Sequence, residues 1–116
     1  MHPNLSAPLN AAIAKSDEDG GVWLEDVPVG KTVAMQTRNT LYGICKVGPL
    51  TFTIFGHPKY CPEPTPCNIF GSSWGGSMLK VGWIGVGMCL EFSLIPMHED
   101  GPLTTSAIKS VRVLPS

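Results

Sequence analysis

Charge is scarce in this chain. Only 15% of its 116 residues are charged, against 43% hydrophobic, and the formal net charge is -1 with a pI of about 6.2. A disordered chain has the opposite balance, with high charge and few apolar residues. So little charge also leaves weakly polar surface to face a partner or another copy of the chain. A basic run is missing as well. The eight Lys and Arg lie scattered from Lys15 to Arg112 with no two adjacent, whereas proteins that grip a phosphate backbone gather a basic stripe. This demotes a nucleic-acid-binding barrel to a secondary alternative, testable by a salt-dependent gel shift.

Long apolar runs are also lacking. The longest weakly polar stretch, 81–90, is about half a membrane span and contains Gly82, Gly85 and Gly87. The first residues, Met-His-Pro-Asn-Leu-Ser-Ala-Pro, carry no basic region followed by an apolar core, the pattern of a secretory signal. The expectation is a cytoplasmic protein that does not enter a membrane. The four cysteines, Cys45, Cys61, Cys67 and Cys89, are then reduced thiols rather than disulfides. Cys45 and Cys89 lie in apolar runs and read as small buried hydrophobes.

What is present is a strand pattern. Residues 1–21 read as a flexible or partly helical tail. Leu9 and Ile13, four apart, would share one face of a short helix, and an acidic break follows at Ser16–Gly21. From residue 22 onward the chain reads as one β-barrel domain. Thr32–Thr37 and Leu50–Phe55 alternate with period two, and Leu41–Val47 is a further strand, as expected for half-buried strands. Arg38–Thr40 offers a hairpin or bulge, and Gly48-Pro49 is a turn signal. His57–Cys67 reads as a loop because it holds Pro58, Pro62, Pro64 and Pro66, which cannot donate to a ladder. Gly71–Ser77 reads as a second loop. Met78–Ile95 is the longest extended run, and its inward parity switches near Gly82, which predicts a bulge or bend there. Thr104–Leu114 is the last strand, with a second bulge near Ser110. The expected fold is all-β: a small closed or nearly closed barrel of about five to seven strands, with a glycine-bent long strand.

Chemistry-bearing motifs are thin. His57-x3-Cys61-x5-Cys67 has metal-ligand residue types. It lacks the paired spacing of zinc sites, and a fourth ligand would have to come from Cys45, Cys89 or His98. A metal- or thiol-dependent protein using this loop is the first alternative; no metal and no cofactor is the favoured expectation. Gly71 and Gly76 have the separation of phosphate-loop glycines, but Ser77 stands in place of the lysine. The acidic turns Asp17–Asp19 and His98–Asp100 read as solvated, and no catalytic residue emerges from spacing. Trp74 lies among small polar residues, where an exposed aromatic often marks a contact site. Trp74, Ser72, Ser73 and Ser77, with Thr105 and Ser106, are the candidate binding residues.

Certain residues carry a resemblance: Val33-x-Met35-x-Thr37-x-Asn39-x-x-Tyr42, Gly71-Ser72-x-x-Gly75-Gly76-Ser77-x-Leu79-Lys80, Trp83–Phe92, and Thr105-Ser106. Over these the chain resembles short, stand-alone, uncharacterised bacterial β-barrel proteins. The resemblance implies a compact β-domain in a bacterial cytoplasm and supplies no catalytic residue, cofactor or substrate. The expected function is a small binding or assembly module. Its partner would be a second copy, another protein or a small molecule; whether it is also an enzyme stays open, with the motifs leaning against it.

Overall fold

The computed structural model describes residues 20–75 and 77–115. Of the tail read over residues 1–21, residues 1–19 lie outside the described residues, and Gly21 already begins a strand. The described chain forms β1 (Gly21–Trp23), a 3-10 turn (Leu24–Asp26), β2 (Thr32–Thr37), β3 (Leu41–Lys46), β4 (Phe52–Phe55), β5 (Thr65–Trp74), β6 (Ser77–Val81), β7 (Trp83–Gly85), β8 (Cys89–Leu94) and β9 (Leu103–Val113). No helix among the described residues is long and apolar enough to cross a membrane.

Six strands close an antiparallel barrel in the order β4-β3-β2-β9-β8-β5, with β5 returning to β4. Closure hides the barrel's strand edges. It is possible because the strands alternate. Val33, Met35 and Thr37 of β2 are buried, as are Phe52 and Ile54 of β4 and Leu90, Phe92 and Leu94 of β8. Each strand thus offers one apolar face to a shared interior. The 37–40 hairpin is closed by Thr37, whose backbone N–H donates to the Thr40 carbonyl at 2.8 Å and whose hydroxyl accepts the Thr40 N–H at 3.0 Å.

The expected bends are present. Gly82 separates β6 from β7 with φ +74, a left-handed value that suits glycine. Lys109 is the extra residue in β9, since Gln36 pairs with Ser110 while Thr37 pairs with Ile108. Gly85 packs against its neighbours, and a Cβ there would collide with Trp83 and meet the Met88 sulfur at 2.9 Å. Gly85→Val is therefore expected to lower stability by about 1–3 kcal/mol. Urea denaturation checks it, and an unchanged midpoint would contradict the close packing.

Four expectations need correction. The loop expected at His57–Cys67 ends early, because β5 already begins at Thr65. Pro66 is tolerated there because its carbonyl accepts the Ile95 N–H at 2.9 Å, just beyond the end of β8, where no ladder donor is required of it. The loop expected at Gly71–Ser77 is a tight hairpin: β5 runs on to Trp74 and β6 starts at Ser77. The long run Met78–Ile95 is three strands, because Gly82 and the turn at Gly85–Met88 interrupt it. Finally, Cys45 and Cys89 are half-buried, while Cys61 and Cys67 are the buried pair. Tyr42, Ile44 and Lys46 take the inward parity of β3, which turns Cys45 outward. Cys61 is folded in by the exchange of backbone bonds at residues 56–61: Gly56 donates to Cys61 and Cys61 to His57.

Candidate functional site

β5 is the strand on which the accessible features are arranged. Along one side it pairs with β8 from Cys67 to Ser73. Along the other it pairs first with β4 (Thr65–Cys67) and then, from Gly71, with β6. Among the described residues the handover leaves Asn68, Ile69 and Phe70 without a strand partner on that side, although the Phe70 carbonyl accepts the Gly82 N–H at 3.0 Å. There a cleft of about 710 Å³ opens, lined also by Leu24, Leu50, Phe52 and Lys46. Lys46 is 7% exposed. Its Nζ donates to the Leu24 carbonyl at 3.0 Å, tying the 3-10 turn over this end of the barrel. Glu25 stands exposed at the rim.

β6 is the added strand outside the barrel. All five of its residues are exposed, and β5 is its only strand partner among the described residues. Met78 is 81% exposed and Val81 73%. Lys80 folds back over a tilted tryptophan pair, with Nζ 4.6 Å from the Trp83 ring centre and 5.0 Å from that of Trp23. Those cation–π contacts hold β6 against the barrel.

The candidate binding residues divide between places. Trp74 is exposed at the hairpin tip, with its ring 3.5 Å from the position a Cβ on Gly87 would take. Ser77 is exposed beside it and donates to the Trp74 carbonyl at 3.0 Å. Ser72 and Ser73 are fully buried. The Ser72 hydroxyl donates to the Trp83 carbonyl at 2.6 Å and accepts the Gly85 N–H at 3.2 Å; the Ser73 hydroxyl donates to the Glu91 carboxylate. They connect β5 to its neighbours because the residues around them are strand, not loop.

Thr105 and Ser106 line a separate, polar pocket of about 250 Å³, with Asn39, Tyr42, His57 and Tyr60. The Thr105 hydroxyl is occupied: it accepts the Leu90 N–H at 3.0 Å and donates to the Ser106 carbonyl at 2.8 Å. His57 Nδ1 accepts the Lys59 N–H at 3.1 Å, so the ring proton resides on Nε2. Tyr60 donates to Asp100 at 3.0 Å, and this bond is the main cause holding that carboxyl below its ordinary range. Burial raises the Tyr42 hydroxyl pKa.

The His57, Cys61 and Cys67 candidates do not gather as ligands. Among the described residues no group of three or more His, Cys, Asp or Glu side chains is placed to hold a metal. Burial pushes the Cys61 thiol up and the Cys67 thiol up to about 12. A reactive cysteine needs the reverse shift, since the thiolate is the nucleophile and the ligand.

Sequence reasoning passed over Lys46 and Tyr42. The signal was in the pattern: with Ile44 they share the inward parity of β3, and a lysine on a core-facing parity is unusual. Comparison with protein-family models, with curated proteins and with solved structures gives no match.

Proposed function

We propose that this barrel is a binding and assembly module that pairs with a second copy of itself along β6. The observation that carries this reading is β6 itself: a fully exposed strand with one unpaired edge bearing Met78, Leu79 and Val81. An unpaired edge presents N–H and C=O groups that template pairing with another strand. Exposed apolar side chains on it add burial when they are covered.

A symmetric pair suits this strand. With the two-fold axis at Leu79, antiparallel pairing sets Met78 opposite Lys80 of the other copy and Ser77 opposite Val81. No lysine then faces a lysine, an arrangement that would be destabilising. Trp74 at the hairpin tip supplies a rigid aromatic at the end of the same ribbon. The four cysteines are free thiols, in keeping with a reducing cytoplasm.

Light scattering on the purified chain at micromolar concentration tests the proposal, with a dimer expected. Leu79→Lys places like charges on the axis and is expected to shift the dissociation constant at least about tenfold toward monomer. Its circular dichroism should stay unchanged, because the site is on the surface. A wild-type chain that stays monomeric would overturn this reading.

A further inference from the structure

We infer that the cleft between β4 and β6 is a binding site for a small amphipathic carboxylate, with its headgroup on the Lys46 ammonium and its apolar body on Ile69, Phe70, Leu50 and Phe52. The site joins two features. Its walls are apolar, formed by the β5 residues that the strand handover leaves uncovered and by side chains from the 3-10 turn and β4. Its volume, about 710 Å³, falls within the range of small-molecule sites.

A buried cation provides the second feature. An ammonium has three N–H donors, and among the described residues the Leu24 carbonyl is the side chain's hydrogen-bond partner. With one neutral carbonyl as partner, the ammonium has donors left to offer, and an anion would take them in a charge-assisted bond. The ion pairs at Asp100, with Lys59 and His98, involve other residues. Lys46 is also held in place. Its N–H donates to the Lys31 carbonyl at 3.1 Å, and its own carbonyl accepts the Gly30 N–H at 2.7 Å. A ligand would therefore meet a pre-positioned charge, which lowers the ordering cost of binding. Glu25, the other charged group on the cleft, stands in solvent at the rim, where water screens it.

Charge sign and apolar body together select the ligand class. A cationic amphiphile would meet the buried ammonium. A purely polar anion would gain nothing from the walls. A straight-chain fatty acid and an aryl-alkanoic acid share the required chemistry, so both belong in the test.

Binding of decanoate and of 4-phenylbutyrate is measured by calorimetry on the full chain, with decanol and decylamine as uncharged and cationic counterparts. Amide NMR shifts locate the site. At least one of the two acids is expected to bind and to perturb Leu24, Ile69 and Phe70; whichever binds more tightly identifies the body the walls accept. Decanol is expected to bind about tenfold more weakly than decanoate or worse, and decylamine more weakly still. Lys46→Met, which stays unbranched, is one atom shorter and removes the charge, should abolish the preference for the acid. Leu50→Glu, at an 87% exposed residue on the rim, should weaken acid binding without disturbing the fold, should Lys46→Met fail to fold. The inference is overturned if neither acid binds at millimolar concentration, if decanol equals decanoate, if Lys46→Met or Leu50→Glu leaves acid binding unchanged, or if the shifts map elsewhere. Val81 lies on both the cleft wall and the proposed dimer edge, so the titrations are repeated on Leu79→Lys: acid binding that survives there separates the cleft from the dimer.

Discussion

Raising the pH above about 9 is expected to destabilise this barrel progressively, and the buried Cys67 thiol contributes to the loss. Burial lifts its thiol from an ordinary 9.0 to about 12, with the neighbouring Cys61 adding to the shift. The folded state therefore keeps a proton that the unfolded chain gives up. The stabilisation is fully present below pH 9 and is lost as pH rises from there toward 12. At about 1.36 kcal/mol per pKa unit, the loss has a ceiling on the order of 4 kcal/mol. That is a large share of the roughly 5–15 kcal/mol that holds a domain together. Urea midpoints from pH 7 to 11 measure it. Cys67→Ala should start lower, because it leaves a cavity, but its curve should fall less steeply over this window. Lysine, tyrosine and Cys61 titrate in both proteins, so the difference between the two curves reports Cys67 together with its coupling to Cys61. Parallel curves would show that the thiol is not the group responsible.

Gly71→Val is expected to be the most disruptive single change on β5, which lines the cleft and holds β6. Gly71 has φ +143, a backbone conformation that side chains rarely adopt, and a Cβ there would strike the Lys80 carbonyl across the β5–β6 ladder. The backbone strain costs about 1–3 kcal/mol, and forcing atoms into the filled space costs about 1–3 kcal/mol more. Since the obstacle is main chain, no rotamer change relieves it. The prediction has two parts. The denaturant midpoint should fall by an amount on the order of several kcal/mol, and β6 should separate from β5. The second part is visible as a change in near-ultraviolet circular dichroism, because Lys80 would leave the Trp23–Trp83 pair. A Gly71→Val protein with wild-type stability and an unaltered tryptophan signal would mean that β6 is not anchored as described.

Much of the fold was legible in the sequence because it depends on local pattern. Period-two alternation at Thr32–Thr37 and around Phe52–Ile54 announces strands whatever they pair with, since successive side chains point to opposite faces. The parity breaks near Gly82 and Ser110 likewise announce bends before any partner is known. The candidate site was less legible. Ser72, Ser73 and Trp74 look equivalent in a glycine-rich stretch. What separates them is what lies over each one: Trp83 and Gly85 cover Ser72, Glu91 bonds Ser73, and Trp74 stands at the exposed hairpin tip. Pro66 reads as a strand breaker, and only its position past the end of β8 makes it acceptable.

By itself, then, the sequence determined that this is an all-β chain of short, glycine-bent strands with little charge to cover its surface. Those properties follow from residue type and spacing along the chain. The tertiary structure alone decided that the strands close, that β5 changes partners between Cys67 and Gly71, that β6 is left outside, and that the Lys46 ammonium is tied to the Leu24 carbonyl at the cleft. Each of these is a matter of which strand lies beside which. Strand pairing joins residues far apart in sequence through backbone groups that every residue shares, so spacing and composition carry almost no record of it.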